Sequence, residues 1–110
     1  MRVVIAGAGS VGRSIARELL RNEHHVLLID RDADGERLQK VPDASWLQAD
    51  ACEIEALSEA GLADCEVVVA ATGDDKVNLV LSLLAKTEFG VDRVVARVNH
   101  PKNEWLFNES

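Results

Sequence analysis

The hexapeptide Gly7-Ala8-Gly9-Ser10-Val11-Gly12 constrains this chain more than any other stretch. Before it stand Val3, Val4, Ile5 and Ala6, apolar enough for a strand buried on both faces. After it, Val11, Ile15, Ala16, Leu19 and Leu20 recur at helical spacing, with Arg13, Arg17, Glu18 and Arg21 elsewhere, so a helix is expected over 11–22. A second apolar run, 26–29, leads to Asp30. The order is therefore strand, glycine turn, helix, strand, carboxylate. Each part has a task if a dinucleotide lies across the turn. Gly7 lets the chain leave the strand sharply, Gly9 lets a pyrophosphate approach the backbone, and Gly12 lets the helix pack close to the strand. The helix N-terminus offers free N–H groups and a partial positive charge to phosphates. Asp30 follows Gly9 by about 20 residues, the spacing of a carboxylate that takes the adenosine ribose hydroxyls. A bare glycine pattern could serve packing alone; strand, helix and acid at matching distances favour the nucleotide.

The rest of the chain repeats the alternation. His24 and His25 are adjacent and point different ways, which suits loop and strand-entry residues better than a metal site. Residues 33–40 read as a short polar edge helix whose only large aliphatic is Leu38, ended by Pro42. A third strand, 45–49, carries Trp46 and Leu47 and delivers Asp50 just past its carboxyl end, where ligands of open α/β sheets bind. Asp50-Ala51-Cys52-Glu53 equally fits a capping box for a helix over 54–60, and both roles stay open. Gly61 is placed to stop that helix in the left-handed conformation. The fourth strand, 66–71, runs into Ala71, Thr72, Gly73, Asp74 and Asp75, small residues that leave room for a phosphate or ribose but also make an ordinary turn and cap.

The helix expected over 75–88 carries Val77, Leu79, Val80, Leu81, Leu83, Leu84 and Ala85 over more than one stripe, a pattern that calls for burial on two sides, one of them a partner subunit. A fifth strand reaches residue 98 and contains Arg97; Pro101 opens a final helix with an apolar patch at Trp105, Leu106 and Phe107. With right-handed crossovers this alternation gives an α/β fold: a Rossmann-type, doubly wound parallel sheet, three-layer, in a single domain over 1–110. A six-strand sheet of this kind needs one more strand after Ser110, so the expectation is a domain lacking its last strand and a C-terminal domain.

Bulk properties exclude several classes. Lysine and arginine (12) against aspartate and glutamate (19) give a net charge of −7, with no polybasic run, which opposes nucleic-acid binding. No stretch approaches a membrane span and Met1 leads straight into a strand, so a cytoplasmic protein without direct membrane insertion is expected. Cys52 and Cys65 form no metal-ligand pair and read as free thiols. There is no tyrosine, which removes the Tyr/Lys proton donor of many small dehydrogenases.

Together, Gly7-Ala8-Gly9-Ser10-Val11-Gly12, Asp30-Arg31, Ala49-Asp50-Ala51, Ala71-Thr72-Gly73-Asp74-Asp75 and Ala96-Arg97-Val98-Asn99 closely resemble the RCK (KTN, or TrkA-N) domains of Trk-type potassium-uptake regulatory proteins. The resemblance covers essentially the whole chain, and Ala-Thr-Gly-Asp-Asp followed by Asn78 is its most specific part. It implies a cytosolic sensor that binds NAD(H) or ATP, ADP or AMP, forms a homodimer or higher oligomer, and gates a membrane potassium transporter subunit. It places Gly7, Gly9, Ser10, Val11 and Gly12 on the phosphates and Asp30 and Arg31 on the ribose. Asp50, Ala51 and Cys52 would flank the adenine, Ala71, Thr72 and Gly73 the phosphate or nicotinamide side, and Arg97 would reach the phosphates. Ser10 stands where several members carry a phosphate-contacting arginine. The oligomer contacts expected here are the helix 75–88 and the Trp105, Leu106, Phe107 patch. The alternative is the cofactor domain of an NAD-dependent dehydrogenase, against which stands the lack of any nominated acid or base for hydride transfer.

Overall fold

The computed structural model describes residues 1–32 and 35–108, without the side chains of Leu38 and Asn108. The start of the expected 33–40 helix and the packing of Leu38 lie outside the described residues. Five strands alternate with helices: β1 (Arg2–Ala6), α1 (Ser10–Arg21), β2 (His25–Asp30), α2 (Gly35–Lys40), β3 (Ser45–Gln48), α3 (Ile54–Glu59), β4 (Val67–Ala70), α4 (Asp75–Thr87), β5 (Arg93–Ala96) and α5 (Glu104–Asn108). The strands form one parallel sheet in the order β3-β2-β1-β4-β5. The chain moves outward from β1 in one direction through β2 and β3, then returns to β4 on its other side. The crevice between the carboxyl ends of β1 and β4 is the switch point of such a sheet.

Side-chain alternation divides the core into two layers. Val3 and Ile5, Val26 and Leu28, and Val69 and Ala71 face α1 through Ile15, Ala16, Leu19 and Leu20. Val4 and Ala6, Ile29, and Val68 and Ala70 face the opposite layer, built by Leu57 of α3, Leu62, and Leu81 and Ala85 of α4. Ile5, Leu28, Ile29, Leu57, Leu62 and Leu81 are fully buried, each contributing about 1.5–3 kcal/mol of transfer free energy. This two-sided burial is why β1, β2 and β4 are apolar without alternation.

Several local expectations shift. Helix α3 begins at Ile54 with Glu53 at its N-cap and no side-chain cap. Asp50 is thus not the capping residue: its Oδ1 accepts the Cys52 amide at 2.9 Å and holds the turn that precedes the helix. Gly61 does end the helix region with φ +78°, and a 3₁₀ turn, Leu62–Asp64, follows at once. Pro101 opens a second 3₁₀ turn, Pro101–Asn103, and α5 starts only at Glu104. Helix α4 buries Leu81 and Ala85 against the sheet and leaves Val80 and Leu83 exposed at 43% and 51%. Its second apolar stripe is open within the single chain.

Candidate functional site

A cleft of about 600 Å³ lies across the carboxyl ends of all five strands. Gly7, Gly9 and Ser10 line it from the turn after β1, and Asp30 and Arg31 from the end of β2. Asp50 and Ala51 follow β3, Ala71, Thr72 and Gly73 follow β4, and Arg97 follows β5. Residues far apart in the chain are thereby brought to one rim by parallel register alone. Two smaller hollows, of about 160 and 260 Å³, lie at the amino ends of the strands and beside Arg17, Arg21 and Lys40.

The glycine turn has a tight geometry. Gly7 has φ +102°, and a Cβ there would meet the Ala71 main chain at 2.8 Å. A Cβ on Gly12 would stand 1.8 Å from the Gly7 carbonyl oxygen. Gly12 is buried and does not line the cleft; its place in the turn is to let α1 press onto β1. Gly9 is different, with nothing within 4 Å of a Cβ, so its bare backbone faces open space. Arg13 Nη1 donates to the Ala8 carbonyl at 2.7 Å and ties the first turn of α1 back to the loop.

Two helix N-termini meet the cleft, and they differ. At α4, Asp74 Oδ1 accepts the amides of Lys76 (2.9 Å) and Val77 (3.4 Å), so that terminus is closed by its own carboxylate. At α1 the N-cap is Gly9, with no side-chain cap and no acidic residue in the first turn. The unneutralised positive end of the α1 dipole therefore points into the cleft where the glycine turn lets an anion come close.

Asp30 closes one end of the cleft. Its Oδ2 accepts the Ala8 amide at 2.7 Å and lies 3.7 Å from Arg37 Nη1, and its Oδ1 accepts the Asp32 amide at 2.9 Å. The carboxylate is anchored on three sides and still borders the open volume. Arg37, Asp32, Ile29 and Val77, outside the motifs, also border the cleft, as do Ala49 and Asp74, which the motifs contain without a site role. Arg37 sits on α2, whose polar sequence carries no signal of which residue faces inward.

Val11 and Cys52, expected at the site, do not line the cleft. The Cys52 Sγ lies 3.9 Å from the Val77 carbonyl oxygen. Burial, and after it the charges of Asp50 and Asp74, pushes its pKa up, so it is a neutral thiol rather than a nucleophilic thiolate.

The wall formed by β4 and β5 is a polar network that the sequence did not reveal. Asn78 is completely buried. Its Oδ1 accepts the Thr72 amide (3.0 Å) and hydroxyl (2.6 Å), and its Nδ2 donates to the carbonyls of Thr72 (3.1 Å) and Arg97 (2.9 Å). Asp75, also buried, accepts from the Asn99 amide (2.6 Å) and Nδ2 (3.0 Å), the His100 amide (3.0 Å) and Asn103 Nδ2 (2.8 Å). These hydrogen bonds, that of the Asn99 amide first, hold the Asp75 pKa far below the ordinary aspartate range.

A parallel sheet with a glycine turn, an open helix terminus and a ribose-distance acid at its switch point is a Rossmann-type nucleotide-binding fold. The chain belongs to the TrkA-N domain family, which it matches over residues 3–110. It is 59% identical over 110 residues to a Trk system potassium uptake protein TrkA of Mycobacterium tuberculosis, covering 100% of this chain and 50% of that relative. A TrkA homolog of Archaeoglobus fulgidus is 39% identical over 103 residues, covering 93% of this chain and 23% of its own. The chain thus spans half the length of the Mycobacterium relative and less of the Archaeoglobus one. Among solved structures, the GsuK RCK domain superposes with TM-score 0.85 at 28% identity, covering 97% of this chain and 23% of that one. The Kef C-terminal domain of Shewanella denitrificans, solved in an AMP-bound form, gives TM-score 0.84 at 22% identity, covering 98% and 65%.

Proposed function

We propose that this domain is the nucleotide-reading part of a regulatory subunit for potassium uptake. In this reading it binds NAD(H) or an adenine nucleotide, acts at the cytoplasmic face of the membrane, and conveys occupancy to a transporter subunit without doing chemistry on the ligand. The observation that carries the binding step is the contrast between the two helix termini: α1 is open over Gly9, whereas α4 is closed by Asp74. Phosphates belong at the first. Asp30, beside the turn, then faces the ribose, and its charge disfavours a 2′-phosphate, so NAD(H) is preferred to NADP(H). Ala71 and Gly73 present little side chain to the ligand, and Arg97 supplies a cation at the β5 side. Among the described residues no helix is long and apolar enough to cross a membrane; in this reading the link to transport is a partner subunit. The names of the curated relatives support that role over a dehydrogenase. A ligand shifts such an assembly only if it binds two states unequally.

Calorimetric titration with NADH, NAD, ATP, ADP and AMP tests the reading. At least one nucleotide is expected to bind. Asp30→Ala should weaken it by about tenfold or more, since hydrogen bonds to a charged group are lost. Absence of heat with all five overturns the proposal; unchanged affinity in the Asp30 variant overturns the ribose assignment.

A further inference from the structure

The far wall of the cleft is held together by hydrogen bonds among its own residues. The Thr72 amide donates to Asn78 Oδ1, and the Thr72 hydroxyl lies within hydrogen-bond reach of that oxygen and of the Asp74 carbonyl while accepting the Asp74 amide. The Thr72 carbonyl takes the side-chain amides of Asn78 and of Asn99 at 3.1 Å each. Arg97 is tied to the same group. Its amide donates to the Ala70 carbonyl at 2.8 Å and its carbonyl accepts from Asn78, while the residue lines the cleft. Asn99 then bridges onward to Asp75, and Asp75 grips His100 and Asn103. A continuous chain of hydrogen bonds therefore runs from the cleft wall to the segment that leads into α5. At the end of that segment Trp105 stands 62% exposed. A ligand atom that accepts from the Thr72 amide takes that donor away from Asn78 Oδ1, and an anion drawn to Arg97 loads the strand end that Asn78 holds. In a buried network each lost partner is costly, so displacement at one end is relayed rather than absorbed.

We propose that Thr72, Asp75, Asn78, Asn99 and Asn103 form a coupling latch, through which occupancy of the cleft changes the order of residues 99–107. The latch rests on the reading that the cleft holds a nucleotide. Asp75 and Asn103 do not line the cleft; they are positioning residues that act through Asn99.

Hydrogen exchange of the whole chain, measured with NADH and with AMP in samples whose binding is followed by calorimetry, tests the proposal. Bound nucleotide is expected to change exchange of the amides of Asn99 and His100 and of residues 103–107 by about fivefold or more, the lower range of coupling between sites. Asn103→Ala removes a single bond from the carboxylate. It should keep nucleotide affinity within about threefold while the exchange response at 103–107 falls below about twofold, less than one such coupling step. Asp75→Asn, which turns an NH₂ toward N–H donors, should abolish the response along the whole segment. If Asp75→Asn does not fold, Asn103→Ala alone decides. No binding of either nucleotide to the natural chain defeats the nucleotide reading. Binding with unchanged exchange over 99–107, or a full response in Asn103→Ala, defeats the latch.

Discussion

Gly9 and Gly12 stand three residues apart in one motif and serve different physics. A methyl group at Gly12 would overlap the Gly7 carbonyl, 1.8 Å away. Gly12→Ala should therefore lower the unfolding free energy by about 3 kcal/mol, the upper end for overpacking, as read by urea denaturation. Gly9→Ala meets nothing within 4 Å but exchanges a favoured N-cap residue for a poor one, so stability should fall by about 1 kcal/mol. Nucleotide binding should nevertheless fall sharply, because the methyl group occupies the approach to the open helix terminus. Equal damage to stability in both variants would refute the distinction. Asp75 carries a different prediction. Its folded pKa is depressed below the ordinary 3.8, so its contribution is fully present above that value and is lost as pH falls toward the folded one. The gap in melting temperature between the natural chain and Asp75→Asn should be widest near neutrality and narrow below pH of about 4. A gap that stays constant into acid would place the stabilisation elsewhere.

Helix α4 shows how one element divides its faces. Leu81 is buried against the sheet, so Leu81→Ala should cost about 2–5 kcal/mol in chemical denaturation. Leu83, two residues on, is 51% exposed, and Leu83→Glu should change monomer stability by about 0.5 kcal/mol or less. If the open stripe of Val80 and Leu83 meets a second subunit, that same substitution should convert a dimer to monomer in light scattering. A natural chain that is monomeric at high concentration removes this role from the helix. The periodicity of α4 announced an excess of apolar surface. It said nothing of Asn78, which lies within the buried stripe and reads in sequence as one polar interruption.

At the scale of the whole domain, a ligand that binds only the folded state must raise its stability. NADH or an adenine nucleotide at about 100 times its Kd should add about 2.7 kcal/mol, a rise in melting temperature of about 10 °C for a chain of this size. Asp30→Ala, weakened about tenfold or more, should keep at most about half of that rise at the same concentration. A natural chain whose melting temperature is indifferent to every nucleotide tested would not be a sensor of them. The cleft that makes this test possible draws on all five strand ends, so its integrity is a property of the sheet rather than of the glycine loop.

Much of that sheet is legible in the amino-acid sequence. The glycine turn, five apolar runs and intervening helical periods determine a parallel, doubly wound arrangement because burial on two faces and right-handed crossovers leave few alternatives. Local rules also locate Gly61 in its left-handed turn and deliver Asp30 to the rim, since both depend on neighbours close in sequence. They fail at Asp50, where a capping-box spacing is present but the helix starts one turn later than that cap requires, under Glu53. They fail again at Asp75, which reads as an ordinary first-turn carboxylate and is instead buried under Asn99, His100 and Asn103. The amino-acid sequence by itself determined the layers, the order of elements, and the glycine turn with its open Gly9 and packed Gly12, because these follow from periodicity and backbone sterics within about one element. Only the tertiary structure decided which helix terminus is free and which buried carboxylate joins the cleft wall to the segment before α5. Those are questions of what lies opposite a residue across the sheet, and partners distant in the chain leave no local pattern to read.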